Sequence, residues 1–375
     1  MAVLTTGRQD YGILRSTILL LRNTPDFDVA VWAGGMHLQR RFGEPLEAFR
    51  RDGVPVAREL PFVTEPPAPI ADTAAALGLV GAALAQDQPD ALVLVGDRTE
   101  ALAAALAATL AKIPIVHLHG GEESEGAIDN ACRHALTKLS HLHLVSHRVH
   151  ASRVIQMGED PATVLVVGAP SLDHAYRDDL PGAEALSREL GVELRPPVVM
   201  VTMHPTTLGG SVGEEVAAVA GAMEGVQATY VVTAPNADAG GAEIGDYWRH
   251  WAKGRERVAL VDALGDRRYW AMLRLADAVL GNSSSGIIEA PALGVPVVNV
   301  GDRQRGRLRY GPVADVPPDG AAVTAALREA ISAGRRQSRH DLGGYPPPPI
   351  APRIVEALRQ WKIPRPPRKR FREPG

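Results

Sequence analysis

Short runs of apolar and β-branched residues alternate along the chain with longer segments rich in Ala and Leu. The short runs have the length of buried strands, and the longer segments carry apolar residues at helical spacing. In the first part of the chain the pattern predicts strands at Ala2–Thr5, Asp28–Trp32, Ala91–Val95, Ile115–Leu118, Leu142–Val145 and Thr163–Val167. The helices predicted between them are Ile13–Leu21, Pro45–Arg51, Thr73–Gln86, Glu100–Leu110, Ile128–Leu139 and His150–Met157. Strands that alternate with helices of this length indicate βαβ units and a parallel sheet.

The same alternation begins again after a join near Gly168–Asp173. The second series of predicted strands is Val198–Met203, Ala228–Val232, Val258–Val261, Ala278–Leu280 and Val295–Val300. Its predicted helices are Gly213–Met223, Tyr269–Leu275, Ile287–Ala292 and Ala321–Ala333. We therefore predict an α/β protein with two Rossmann-like, doubly wound lobes that face a central cleft. The first lobe is expected at 1–168, with a C-terminal helix at 350–362 packed back on it, and the second lobe at 169–345.

Composition narrows the class of protein. The 375 residues are 45% hydrophobic and 22% charged, which excludes a disordered or fibrous chain. The 40 basic and 43 acidic side chains leave a net charge of −3, which argues against nucleic-acid binding. Since the single cysteine, Cys132, cannot form an internal disulfide and neither a signal peptide nor a membrane span is expected, we predict a cytoplasmic protein. The basic, Pro-rich segment 363–375 is predicted to be disordered, with a weak contact to a polyanion as the alternative.

Polar residues follow several of the predicted strands, at the edge of the sheet where doubly wound proteins bind ligands. The first strand leads into a loop with Arg8, just before a helix whose free N–H groups could hold a phosphate. On this pattern alone, Arg8 is equally well explained as a surface residue on a turn. Asp97 and Arg98 follow another strand and suit a charged ligand with a proton to move, although Asp97 could instead cap the next helix.

The segment His117–Asn130 is the densest in residues that carry chemistry. Its acidic side chains are crowded, and crowded carboxylates raise one another's pKa until they can act as acids or bases. Arg133 and His134, one turn into the next helix, are expected to position these carboxylates. His117 and His119 share one face of a strand, which leaves a metal site as an alternative, but the loop lacks a recognisable ligand spacing. We predict no metal here.

The second lobe offers sites for an anion. His204 ends a strand and is suited to donate a hydrogen bond to a leaving phosphate. Ser283, Ser284 and Ser285 precede Gly286 at the start of a predicted helix, where hydroxyl and backbone N–H groups can cradle a diphosphate.

Further polar residues extend this predicted anion site. Glu289, one turn into that helix, could accept the hydroxyls of a ribose. Arg303, Arg305 and Arg307 concentrate positive charge, and a bound anion would relieve their mutual repulsion. The turn around Asn236 is explained as well by turn chemistry as by binding.

In order and spacing, these motifs resemble those of the hydrolysing UDP-N-acetylglucosamine 2-epimerases. The resemblance extends from Leu4 to about Arg307 and rests on Gly96-Asp97-Arg98, His117–Asp129, Arg133-His134-Ala135, His204-Pro205, Asn236–Gly240, Gly281–Glu289 and Gly301–Gln304. It implies the glycosyltransferase-B fold, a nucleotide-sugar substrate and an enzyme of sialic-acid-type sugar synthesis. We expect no cofactor and a homodimer.

The resemblance also implies a reaction in two halves. The C2 proton and the nucleoside diphosphate leave in an anti elimination that gives a 2-acetamidoglucal, and water then adds to release an N-acetylmannosamine-type sugar. Residues that match nucleotide- or substrate-binding positions are Arg8, Arg98, His204, Asn236, Ser283, Ser284, Ser285, Gly286, Glu289 and Arg303. Residues assigned to catalysis are Asp97, Glu122, Asp129, His204 and His119.

This chain differs from the family pattern at two positions, and three other functions compete with the one that the resemblance implies. His119 stands where some members have a catalytic glutamate, so we assign that role to Glu122, with His119 as the alternative acid or base. Gly12 stands where some relatives have a serine that touches the nucleotide. A non-hydrolysing epimerase, a retaining glycosyltransferase and a non-catalytic nucleotide-sugar-binding protein are the competing functions. No motif distinguishes UDP from GDP or reads the substituents at C4 and C6 of the sugar.

Overall fold

The structure is a computed structural model of the 375-residue chain, and it describes residues 1–40, 46–64, 66, 68–123, 128–205, 212–235, 240–335 and 345–373. The chain divides into two compact units. The first unit, here called the first lobe, contains Met1–Glu122, Ile128–Asp173 and Gly344–Gly375, and the second lobe contains His174–Gly343. The boundary thus lies five residues later than the predicted 168/169 join, because 169–173 belong to the first lobe.

The first lobe is built on a seven-stranded sheet in the order β3-β2-β1-β4-β5-β6-β7, with all neighbours parallel. Its strands are β1 Ala2–Thr5, β2 Ala30–Gly34, β3 Val56–Leu60, β4 Leu92–Val95, β5 Ile115–Leu118, β6 Leu142–Val145 and β7 Val164–Val166. Its helices are α1 Arg8–Arg22, α2 Glu47–Arg51, α3 Pro69–Asp87, α4 Thr99–Leu110, α5 Asp129–Leu139, α6 Arg148–Gln156 and α13 Ala351–Gln360. Every residue of β1, β4, β5 and β6 is buried, which explains their nearly unbroken apolar runs.

The second lobe repeats the plan with a six-stranded parallel sheet in the order β10-β9-β8-β11-β12-β13. Its strands are β8 Val198–Thr202, β9 Thr229–Thr233, β10 Val258–Val261, β11 Ala278–Gly281, β12 Val297–Val300 and β13 Val313–Val316. Its helices are α7 Ala183–Leu190, α8 Val212–Gly225, α9 Gly241–Trp251, α10 Gly265–Leu275, α11 Ser285–Ala292 and α12 Gly320–Ala333. The prediction of two doubly wound α/β lobes is confirmed.

The pattern of apolar residues did not predict four of these elements. β3 and β13 are edge strands. In β3 exposed residues alternate with partly buried ones, and in β13 the two middle residues are exposed. Their exposed residues interrupt the apolar run that a central strand carries, whereas the edge strands β7 and β10 keep such a run. The other two are helices α7 and α9, and α9 carries two glycines and four aromatic or histidine side chains that weaken a helical prediction.

The chain returns to the first lobe at its C-terminal end. Helix α13 packs on α1 and shares an apolar cluster with it, in which Ile354 and Leu358 lie with Leu14 and Ile18. Asp173 accepts hydrogen bonds from the backbone N–H groups at the start of this helix, Ile350 N at 2.6 Å and Ala351 N at 2.8 Å. A carboxylate distant in sequence therefore satisfies the free donors of the helix N-terminus.

The tail that follows α13 differs from the predicted disordered segment. Lys369 Nζ donates to Glu159 Oε2 at 2.6 Å, and Arg372 Nη2 pairs with Asp160 Oδ2 at 3.2 Å. Glu159 is 3% exposed, and His143 and Lys138 also contact its carboxylate. These partners hold the pKa of Glu159 down, at about 2, against the upward effect of burial. These contacts join the tail to the first lobe: Lys369 meets the buried carboxylate of Glu159, and Arg372 meets that of Asp160, which is 40% exposed.

Helix α3 is long and apolar enough to cross a membrane, judged by length and composition alone. Its buried residues Ala76, Val80 and Leu84 belong to an apolar cluster with Leu4 and Trp32 of the sheet. The core accounts for the apolar residues on this face of the helix, whereas Ile70 near its start is 89% exposed.

Candidate active site

In each sheet, the strand order marks the place where a ligand binds. The chain leaves β1 toward β2 on one side and reaches β4 on the other, so the crevice at the carboxyl ends of β1 and β4 is open. The equivalent place in the second sheet lies between β8 and β11. The first pair of strands runs into Arg8 and Asp97-Arg98, and the second pair runs into His204 and Asn282.

Arg133 of α5 connects two loops of the first lobe. Its guanidinium is 2% exposed and donates to the carboxylate of Asp97, to Glu122 O at 2.8 Å and to Asn130 Oδ1 at 3.2 Å. The loop after β4 and the loop after β5 are therefore held by one side chain, which binds the carboxylate of Asp97 and the backbone of Glu122. Asp97 does not cap helix α4, since the residue at the cap position is Arg98 and no side chain caps it.

The loop after β5 buries an acid next to a histidine. Glu122 Oε1 accepts hydrogen bonds from His119 Nδ1 at 2.7 Å and from Ser146 Oγ at 2.9 Å. His150 Nδ1 lies 2.9 Å from Ser146 Oγ. Gly121 allows this packing because a Cβ there would come within 2.3 Å of the carbonyl oxygen of His150. The structure thus brings both candidates for the catalytic role, His119 and Glu122, into one hydrogen-bonded pair.

Further residues of the first lobe surround this pair. Arg98 pairs with Glu100 at 2.9 Å, and its Nε is buried without a hydrogen-bond partner within the described residues. Asp129 is the first residue of α5 and contributes an attractive charge to Arg98. Arg8 opens α1 and is exposed. Residues 124–127 of the predicted acid-rich loop lie outside the described residues.

Both ring nitrogens of His117 form hydrogen bonds. Its Nε2 lies 2.8 Å from Gly96 O, and its Nδ1 lies 3.3 Å from Thr137 Oγ1. Burial lowers the pKa of His117 to about 3, so the ring is neutral. Among the described residues, no three His, Cys, Asp or Glu side chains are grouped so as to hold a metal ion.

Asn282 organises the corresponding place in the second lobe. It is fully buried, and its side chain accepts from His204 N at 2.7 Å and donates to His204 O at 2.9 Å. Its own carbonyl oxygen accepts from Arg303 Nη1 at 3.1 Å and from Gln304 Nε2 at 2.8 Å. The preceding Gly281 has φ +134, and a Cβ there would come within 2.0 Å of Thr202 O. One buried residue, Asn282, therefore holds both, His204 through its side-chain amide and Arg303 through its main-chain carbonyl.

His204 is positioned as a neutral donor. Burial, and secondarily the nearby charge of Arg303, lowers its pKa to about 4. A neutral imidazole can donate one hydrogen bond to an anion without carrying charge itself.

The start of α11 presents the predicted serines. Ser283 Oγ and Ser285 Oγ lie 3.0 Å apart, and Ser285 N points to Ser283 Oγ at 3.4 Å. Glu289, one turn later, accepts a hydrogen bond from Tyr269 OH at 2.6 Å. Burial beside Glu289 raises the pKa of Tyr269 well above its usual value, so the phenol remains a donor. Ser284 occupies the N-cap and Gly286 lies in the first turn.

The other predicted site residues of this lobe differ in their surroundings. Arg305 is 69% exposed and lies 3.9 Å from Asp302, so the cluster of three arginines does not converge as Arg303 does. Asn236 lies outside the described residues. Asn282, Tyr269, Ser146 and His150 were not predicted, and nothing in their spacing distinguishes them from core or capping residues.

Residues 20–359 match the family model described as UDP-N-acetylglucosamine 2-epimerase. The chain belongs to this family. It is 34% identical over 333 residues to a hydrolysing UDP-N,N'-diacetylbacillosamine 2-epimerase from Legionella pneumophila, with 88% of each chain covered. It is 30% identical over 321 residues to a hydrolysing GDP/UDP-N,N'-diacetylbacillosamine 2-epimerase from Campylobacter jejuni, covering 84% of this chain and 83% of the relative.

The epimerase fold is shared with solved structures at lower sequence identity. The UDP-GlcNAc 2-epimerase from Neisseria meningitidis, solved with UDP-GlcNAc, aligns with a TM-score of 0.76 and 16% identity. The alignment covers 96% of the present chain and 100% of the chain from Neisseria meningitidis. The predicted family and fold are thereby confirmed.

Proposed function

We propose that this protein is a hydrolysing nucleotide-sugar 2-epimerase. Its substrate is a UDP- or GDP-linked 2-acetamido sugar, and its products are a nucleoside diphosphate and an N-acetylmannosamine-type sugar. The observation that carries the proposal is the presence, on one epimerase fold, of a buried acid–base network after β4 and β5 and a serine- and arginine-lined helix start after β11. The two relatives named above, both hydrolysing by name, support hydrolysis over retention of the nucleotide.

The chemistry demands strong stabilisation of the leaving group. The C2–H bond of the sugar is not acidified by an adjacent carbonyl, so departure of the diphosphate runs ahead of proton removal. The transition state then gains oxocarbenium character at C1, which nearby carboxylates stabilise. Water adds to C1 in the second half, and a proton returns to the opposite face of C2.

We assign the leaving group to the second lobe. Arg303 supplies positive charge, neutral His204 supplies an N–H donor, and the start of α11 supplies hydroxyl and backbone N–H groups for the diphosphate. Glu289, held by Tyr269, accepts the ribose hydroxyls.

We assign proton transfer to the first lobe, with Asp97, Asp129, Glu122 and His119 as the participating groups. Arg8 and Arg98 belong to the binding of the charged substrate. The expected homodimer and cytoplasmic location stay predictions.

The test is to incubate the protein with UDP-GlcNAc, GDP-GlcNAc and UDP-N,N'-diacetylbacillosamine in deuterated water and to follow the products by NMR. We expect free nucleoside diphosphate and a 2-epimerised sugar with deuterium at C2 from at least one substrate. Intact UDP-N-acetylmannosamine as the accumulating product would instead identify a non-hydrolysing epimerase. Binding of a nucleotide sugar with neither release nor C2 exchange on any of the three would overturn catalysis and leave a binding protein.

A further inference from the structure

In the polar network after β5 and β6, the donor and the acceptor of each hydrogen bond can be assigned. His119, Glu122, Ser146 and His150 are 8%, 6%, 1% and 3% exposed. An ionised carboxylate only accepts hydrogen bonds, so Glu122 Oε1 receives the hydrogens of both His119 Nδ1 and Ser146 Oγ. Since the hydroxyl hydrogen of Ser146 is used in this way, Ser146 Oγ accepts from His150 Nδ1.

The direction of these bonds sets the tautomer of His119. With the hydrogen on Nδ1, the neutral ring carries a lone pair on Nε2. His119 Nε2 is buried and has no hydrogen-bond partner within the part of the chain that the structure describes. The backbone of His119 has φ +65, in the left-handed region that favours glycine. Strained backbone of this kind is concentrated at functional sites, where the surrounding structure maintains it.

We propose that His119 Nε2 is the proton acceptor of the epimerase reaction, that Glu122 positions His119, and that Ser146 and His150 position Glu122. This inference rests on the proposed function and corrects our assignment of the proton-transfer role to Glu122. Two donors converge on Glu122 Oε1, whereas His119 Nε2 has no hydrogen-bond partner among the residues that the structure describes.

In the step assigned to His119, the Nε2 lone pair takes the proton from C2. The C2–H electron pair becomes the second bond between C1 and C2, and the electron pair of the C1–O bond leaves with the nucleoside diphosphate. His119 becomes an imidazolium, whose charge the Glu122 carboxylate stabilises, as carboxylates do for other catalytic histidines. The ring returns the proton to water once the products have left.

The other ionisable groups around the pair fit this role. Burial lowers the pKa of His117 to about 3 and that of His150 to about 4, so neither ring competes as a cation. Arg133 and Arg153 direct their guanidinium groups to the backbone carbonyls of Glu122 and Gly121, at 2.8 and 3.1 Å. Arg133 also holds the carboxylate of Asp97.

The first experiment compares His119→Ala with Glu122→Ala. We expect His119→Ala to lower kcat by about 10³-fold, in the range for loss of a general base. Added imidazole should then raise the kcat of this variant at least about tenfold. Formate should not restore Glu122→Ala, since the orientation of His119 is lost rather than a proton acceptor. Rescue of Glu122→Ala by formate, together with no rescue of His119→Ala by imidazole, would overturn the inference and return the role to Glu122.

The second measurement does not depend on turnover. Ring ¹⁵N chemical shifts of the wild-type protein, with His119 assigned from the spectrum of His119→Ala, report which nitrogen carries the hydrogen. We expect the Nδ1–H tautomer in the wild type and a mixture in Glu122→Ala. An Nε2–H tautomer in the wild type would overturn the inference whatever the kinetics.

The positioning role is tested with two serines. Ser146→Ala removes a donor to Glu122, and we expect kcat to fall about tenfold with KM unchanged and the Nδ1–H tautomer to lose population. Ser152→Ala is the matched control, because Ser152 is exposed on α6 and donates only to Arg148 O at 3.1 Å in the same helix turn. Equal kcat and equal tautomer populations in both variants would remove Ser146 from the proposal.

The outcomes separate this inference from the proposed function. If the wild type turns over a substrate but His119→Ala keeps more than about a tenth of kcat, the inference fails and the function stands. If the wild type neither binds nor turns over any of the three nucleotide sugars, the function fails and the inference falls with it.

Discussion

The two lobes hold their candidate site residues in different ways, although both use the place where the strand order of a parallel sheet reverses. In the first lobe, side chains hold one another: Glu122 receives His119 and Ser146, and Asp97 receives Arg133. In the second lobe, His204 and Arg303 are held through the backbone, since Asn282 bonds both main-chain groups of His204 and its own carbonyl receives Arg303.

The difference follows from what each lobe has to do. A histidine that accepts a proton must be in one tautomer with its lone pair free, and an acceptor at a fixed atom, such as the carboxylate of Glu122, selects that tautomer. An anion site needs donors at fixed positions, and a rigid backbone with a helix start supplies these. The comparison therefore predicts kinetic defects from the first lobe and binding defects from the second.

The largest expected effect is that of Asp97→Asn. Loss of the carboxylate should lower kcat by about 10³-fold, because the variant keeps the shape of the side chain but not its charge. The Kd for the nucleoside diphosphate, measured by calorimetry, should change little. Asp302→Asn, at a side chain that is 83% exposed, is the control. Unchanged turnover in Asp97→Asn would refute its role.

Arg303→Ala should affect binding instead. Removal of the guanidinium that contacts Asn282 O and Pro205 O should weaken nucleoside diphosphate binding about 10- to 100-fold, the range for a charged hydrogen bond of about 1.5–3 kcal/mol. Arg305→Ala serves as the control because that side chain is 69% exposed. A titration that finds the same affinity in both variants would contradict the assignment of the anion to Arg303.

Tyr269→Phe should have a smaller effect of the same kind. Without the hydroxyl, Glu289 loses the donor at 2.6 Å, and UDP binding should weaken about 3- to 10-fold. The loss should disappear with 2′,3′-dideoxy-UDP, which has no hydroxyls for Glu289 to accept. Tyr247→Phe, at a residue 37% exposed, is the control. An equal loss with both nucleotides would show that Tyr269 acts on folding and not on the ribose.

The smallest effect concerns acid stability. Burial lowers the pKa of His37, His117 and His150 in the first lobe to about 4, 3 and 4, and that of His204 in the second lobe to about 4. Because the unfolded chain binds these protons near pH 6.5 and the folded chain does not, stability is lost as pH falls from about 6.5 to about 4.

The first lobe should lose more of this stability than the second. Asp10 and Asp173, whose pKa burial raises, oppose the trend, but they are fewer than the histidines. Hydrogen exchange at pH 7.5 and 5 should show a larger loss of protection in β5 than in β11. Equal loss in both strands would break this part of the comparison.

Much of this molecule could be predicted from local pattern. The central strands are buried on both faces and therefore carry apolar runs, and the motifs at their ends identified Asp97, His119, Glu122, Ser283 and Arg303 as candidates. The edge strands β3 and β13 could not be found in this way, because their exposed residues interrupt the apolar run. The tail was predicted to be disordered because its basic sequence lacks periodicity. Its contact with Glu159 could not be predicted, because that residue is 210 positions away from Lys369.

The sequence by itself determined the family, the two α/β lobes and the candidate residues, since these depend on periodicity and on motifs within short segments. Only the tertiary structure showed that two neighbouring candidates are hydrogen-bonded to each other, and which uncharged residues hold them in place. His119 and Glu122 are three residues apart, but the partner that sets their hydrogen bonds, Ser146, comes from the next strand end. Hydrogen-bond direction depends on such distant neighbours in a buried network, and no local pattern encodes it.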